Sequence, residues 1–115
     1  MERKFDLEER TTKFAKEVIS LCKKISRSPI NDRIISQVVA SAGSVGANYR
    51  EANDALGKKD FAHRIKISRK EAKETLHWLI LLEEATPDNS KQIQGLKKEV
   101  IELKKMLSSI VDKCK

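Results

Sequence analysis

Apolar residues recur along this chain every three or four positions, in four separate stretches. That is the period of a helix with one buried face, and no useful length alternates with the period of two that a strand requires. The first stretch predicts a helix from about Asp6 to Ser26, with Leu7, Phe14, Val18, Cys22 and Ile25 on one stripe. "SRSPIND" interrupts it: Pro29 cannot continue a helix, and Asn31 is suited to cap the next one. The second helix is expected from about Asp32 to Leu56, on Ile34, Ile35, Val38, Val39, Ala42, Val45, Tyr49 and Ala52, with Gly57 as its stop. The third spans about Asp60 to Ala85 on Phe61, Ile65, Ala72, Leu76 and Leu79, and ends at the turn "TPDNS", where Asn89 or Ser90 can cap the fourth. That last helix repeats Ile93, Leu96, Val100, Leu103, Leu107, Ile110 and Cys114. Short connections between long helices make neighbours antiparallel. The expected fold is therefore all-α, an up-down-up-down four-helix bundle forming a single domain over residues 1–115.

Two of these helices carry more than one patterned face. Opposite its large apolar residues, the second helix presents Ser36, Ala40, Ser44, Ala47, Asn48 and Glu51. Small residues four apart let another backbone approach closely, and glycines in mid-helix such as Gly43 and Gly46 cost roughly 1 kcal/mol each against alanine, so they call for a reason of that kind. On the third helix a second stripe of Ile67, Glu71, Glu74, Trp78 and Leu81 runs beside the core stripe. The helix of a lone bundle needs one apolar stripe, so a wide one holding the chain's single tryptophan points to self-association. Trp78 and Leu81 completing the core of one chain is the competing reading. Covered from water, Glu71 and Glu74 would need donors, and Arg50, Asn48, Lys70 or Lys73 would supply them in a polar cluster joining the second and third helices.

Composition narrows the class. A chain of 115 residues can bury enough surface for a core without staples. Its two cysteines, Cys22 and Cys114, lack the spacing of a metal or redox motif and read as reduced core residues of a cytosolic protein. No apolar run approaches the length of a membrane span, and the opening "MERKFDLEER" has no signal-peptide centre. Catalytic chemistry finds no candidates. His63 and His77 stand about 21 Å apart along one helix, too far to share a metal. No phosphate-binding glycine loop is present, and neither cysteine has an activating neighbour in the sequence. Neither a metal nor a cofactor is expected, and no enzymatic activity.

Two blocks, "SAGSVGANYREA" and "KKDFAHRIKISRKEAKETLHWLILL", carry a resemblance. With Asn48, Arg50 and Glu51 in the first and Phe61, Glu71, Glu74 and Trp78 in the second, the chain resembles the four-helix proteins encoded in intervening sequences of 23S ribosomal RNA genes. Their fold is shared by the accessory variability proteins of diversity-generating retroelements. His77 departs from the pattern, where an aromatic such as tyrosine would be expected. The resemblance implies a left-handed bundle assembling as a ring-like homopentamer with a basic surface, and association with nucleic acid or ribonucleoprotein.

The chain carries a formal charge of +7, and the placement of that charge matters more than its size. In the third helix Lys58, Lys59, Arg64, Lys66, Arg69, Lys70 and Lys73 crowd the first two-thirds, while Glu83 and Glu84 end it. This order runs against the helix dipole. Lys59, Lys66, Arg69, Lys70 and Lys73 share one broad face about 21 Å long, enough to follow several phosphates. The absence of aromatics from that face predicts binding indifferent to base sequence. The lysines of the first and last helices are assigned no role. The leading reading is a non-enzymatic homo-oligomeric scaffold contacting RNA or DNA, in some settings with a protein partner. An interaction adaptor kept soluble by its charge is the second. A divergent nuclease is the third, although Arg69 and His77 miss the arginine–histidine spacing of small toxin-type ribonucleases.

Overall fold

The computed structural model describes residues 3–114, with side chains described from Leu7 to Cys114. Four α-helices follow one another: α1 (Arg3–Cys22), α2 (Pro29–Asn53), α3 (Lys58–Ala85) and α4 (Ser90–Lys113), with a single 3₁₀ turn, Pro87–Asn89, before the last. Each helix packs on its sequence neighbour, and α4 returns to α1.

Hydrogen bonds between helices establish the antiparallel order. Glu8 near the start of α1 receives Arg50 and Asn53 near the end of α2. The Ser68 hydroxyl donates to the Val45 carbonyl at 2.7 Å, and Thr75 pairs with Ser41 at 2.9 Å, so α3 runs back along α2. Glu83 receives Ser90, Gln94 and Lys97 from the opening turns of α4. Arg10 grips Glu99 through two nitrogens at 2.7 and 2.9 Å and closes α1 against α4.

The core is the set of stripes read from the period, with amendments. Leu7, Phe14, Val18, Val38, Ala42, Val45, Tyr49, Ala52, Ile65, Ala72 and Leu79 are buried, as are Ile93, Leu96, Val100, Leu103 and Leu107 of α4. Burying a side chain such as Phe14 or Leu103 contributes about 1.5–3 kcal/mol. Leu21, Leu82 and Val111 join the core as well. Cys114, by contrast, is exposed, because α4 ends at Lys113 and Val111 fills the last inward position. Cys22 is half-buried, and burial pushes its thiol up to about 11.

Helix boundaries also differ in instructive ways. Ser28, not Asn31, caps α2: its hydroxyl accepts the Asn31 amide at 3.0 Å and Pro29 takes the first helical position, where no amide hydrogen is needed. Asn31 instead sends its side-chain nitrogen back to the Ser26 carbonyl. α2 stops at Asn53, and Gly57 precedes α3 rather than ending α2. At the head of α4 Asn89 takes the cap position without a side-chain cap bond, and the Ser90 hydroxyl turns to Glu83.

Candidate nucleic-acid interface

The inward positions of α3 dictate where its cations go. Ile65, Ser68, Ala72, Thr75 and Leu79 are buried, so residues 66, 69, 70, 73 and 77 are turned away from the core. Lys66, Lys70 and Lys73 are exposed and Arg69 is half-buried. Together with Glu74 and His77 they border a shallow depression of about 330 Å³. Lys59, one helical stretch earlier, is exposed and lies outside it. The Lys70 ammonium is 3.8 Å from Glu74, whereas Lys66, Arg69 and Lys73 enter no ion pair among the described residues. The His77 ring meets Trp78 edge-on, with centroids 5.0 Å apart.

Glu71 and Trp78 belong to the other flank of α3, the one beside α2, and Glu74 stands between the two flanks, on the border of the depression. Trp78 and Ile67 are half-buried, with Trp78 resting on the core; Leu81 is 37% exposed. Across from them α2 presents Ser36, Ala40, Ala47 and Glu51 to solvent, with Ser44 and Asn48 half-buried. Partial burial, reinforced by Glu74 and opposed by Lys70, raises the Glu71 carboxyl above its usual range.

The polar cluster expected between α2 and α3 does not form. Arg50 turns to α1 instead, donating to Glu8 Oε1 and Thr12 Oγ1, both at 3.0 Å. Asn48 bonds the Ser44 carbonyl of its own helix at 2.9 Å. The reason is rotational: Arg50 lies on the α1 side of α2, one turn beyond Gly46, where the two helices touch. What sequence reading missed in this region are the buried hydroxyls Ser41, Ser68 and Thr75, which tie α3 to α2; their place on the core stripe was the available signal.

Elsewhere a cavity of about 790 Å³ opens at the end of the bundle between Leu7, Tyr49, Phe61 and Ile110. Among the described residues no cluster of His, Cys, Asp or Glu could hold a metal, and no helix is long and apolar enough to cross a membrane.

These features define an antiparallel four-helix protein with a cationic row on one flank of its third helix and a small-residue and apolar face on the other. The chain belongs to the 23S rRNA-intervening sequence protein family, whose model matches residues 3–109. It is similar to a crystal structure of a protein of unknown function from the S23 ribosomal protein family of Bacteroides thetaiotaomicron. The two share 29% identity and a TM-score of 0.81 over 91% of this chain and 97% of the other. A comparison with curated protein sequences returns no match.

Proposed function

We propose that this protein is a non-enzymatic helical scaffold that assembles with copies of itself and binds RNA or DNA through the basic flank of α3. The observation that carries the reading is the convergence of Lys66, Arg69, Lys70 and Lys73 around one open depression, with Glu74 as the only carboxylate on its border. Cations gathered in this way neutralise phosphates and release counterions, which gives binding that is tolerant of sequence and weakened by salt. The second face supports assembly. Ala40 and Ala47 leave room for a neighbouring backbone, and Leu81 and the edge of Trp78 offer apolar surface beside them. In a ring of five, the number implied by family likeness, the basic row recurs in every copy and weak phosphate contacts add through multivalency.

The test is titration of fluorescent RNA and DNA of unrelated sequence at several salt concentrations. Binding should weaken steeply with salt and fall further in the double variant Lys66→Glu with Arg69→Glu. Absence of binding at low salt would overturn the reading and leave the protein-interaction adaptor in its place.

A further inference from the structure

Cationic surface continues from α3 onto α4. The bonds from Ser90, Gln94 and Lys97 to Glu83 mark the edge of α4 that lies against α3, and they set the register of the two antiparallel helices. Carried along both helices at about 1.5 Å per residue, that register brings Lys73 level with Lys104 and Lys105, and Lys98 level with Leu79. Around α4, Leu96, Val100, Leu103 and Leu107 face inward, so Lys98 and Lys105, two turns apart, point directly away from the core, next to the edge that Gln94 marks on the α3 side. Both are exposed; Lys104, between them and the helix interface, is half-buried. None of the three enters an ion pair among the described residues, whereas Lys97 is spent on Glu83. Carboxylates also border this shared face: Glu74 stands beside the α3 row, exposed Glu102 lies between Lys98 and Lys105 on α4, and Glu84 and Asp112 lie toward the ends.

We propose that α3 and α4 together form a two-row phosphate clamp for double-helical nucleic acid, with Lys66 and Lys73 on one strand and Lys98 and Lys105 on the other. The proposal rests on the nucleic-acid reading above and narrows it to one substrate class. Axes of packed neighbouring helices lie about 8–10 Å apart. Long side chains splaying outward from two such helices reach phosphates on either side of a groove about 6–12 Å wide. A single strand offers one line of charge, one per about 3.4 Å, where a duplex offers one per about 1.7 Å on two lines. Single-strand binders compensate with aromatic platforms for the bases. Here Phe14 and Tyr49 are buried, Phe61 packs on the core and Trp78 lies on the α2 flank, leaving the His63 and His77 imidazoles as the rings near the basic face among the described residues.

The test compares a short RNA duplex, a DNA duplex and one strand of each alone, by anisotropy across a salt series, with three double variants. These are Lys66→Gln with Lys73→Gln on α3, Lys98→Gln with Lys105→Gln on α4, and, as a control of equal charge change, Lys16→Gln in α1 with Lys23→Gln just past its end. The wild type should prefer duplex. The α4 pair should lower duplex affinity about tenfold, and should flatten the log–log salt slope by about two or more, as the α3 pair does. The α1 pair should leave the slope in place. Duplex binding that responds to the α3 pair while the α4 pair behaves like the α1 control overturns the clamp and leaves the single-row reading standing; so does tighter binding to single strands. No binding to any probe at low salt overturns both. Far-ultraviolet circular dichroism of each variant establishes that the helices are intact.

Discussion

The Thr11 hydroxyl of α1 stands over Gly46 of α2, so close that a Cβ at position 46 would lie 2.8 Å from Thr11 Oγ1. Thr11 is fully buried and held by its own bond to the Leu7 carbonyl at 2.8 Å, so it cannot swing aside. The glycine is what lets α1 and α2 touch. Gly43, one turn earlier and exposed, has nothing within 4 Å of the same construction.

The two glycines should therefore respond in opposite directions to alanine. Gly46→Ala forces an overpacked contact and is expected to cost about 1–3 kcal/mol. Gly43→Ala removes only the backbone penalty and should gain up to about 1 kcal/mol. Urea unfolding measures both, and the loss at position 46 should shrink in a Thr11→Ala background. Equal effects at the two sites would contradict this account.

Acid stability should depend on Glu83. Hydrogen bonds from Ser90 first, then from Lys97 and Gln94, hold its carboxyl at about 2 against an ordinary 4.5. A carboxyl lowered by folding stabilises the protein above its unfolded value, and that contribution disappears as pH falls from 4.5 toward 2. Thermal melts of Glu83→Gln should show a lower midpoint at neutral pH and a flatter decline through this window. An acid limb identical to the wild type would remove Glu83 from the α3–α4 junction.

Glu71 should behave in the opposite sense. Its carboxyl is raised by burial first and by Glu74 second, so the charged form is the one that the fold disfavours. Stability tied to this group is present at low pH and declines as pH rises through the folded value. Glu71→Gln is expected to raise the melting midpoint at neutral pH and to abolish that decline. A lower midpoint would mean that the carboxylate accepts a bond on which folding depends.

Assembly is open to a single exposed substitution. Ala47 faces solvent on α2, and arginine is a good helix former, so Ala47→Arg should leave the unfolding of one chain within about 0.5 kcal/mol of the wild type. In the proposed assembly the same side chain would project into a neighbouring copy. Native mass measurement should find the wild type as a multiple of the chain and the variant as one chain. A wild type that is already a single chain at high concentration would end the scaffold proposal.

Much of this architecture was legible in the chain itself. Helical period alone located all four helices and most of their inward residues, because burial in a bundle is decided by rotation about each axis and rotation is counted in residues. Pro29 and the "TPDNS" turn marked two of the breaks. The α3 cations were readable for the same reason, being the residues that a buried stripe leaves outside. Boundaries were harder. Ser28 and Asn31 are both capable caps, and only the observed bond to the Asn31 amide separates them.

Partnerships across helices were decided by tertiary structure. Arg50 is equally able to meet a carboxylate on α1 or on α3, and the side of α2 that Gly46 presses against Thr11 delivers it to Glu8. The α4 lysines gained their significance in the same way. In the sequence they alternate with core leucines like any solvated face, and only the Glu83 junction sets them beside the α3 row. A chain's own period fixes which residues turn outward from one axis, but which outward faces of two helices become neighbours depends on packing handedness and register, and neither is written within a single helix.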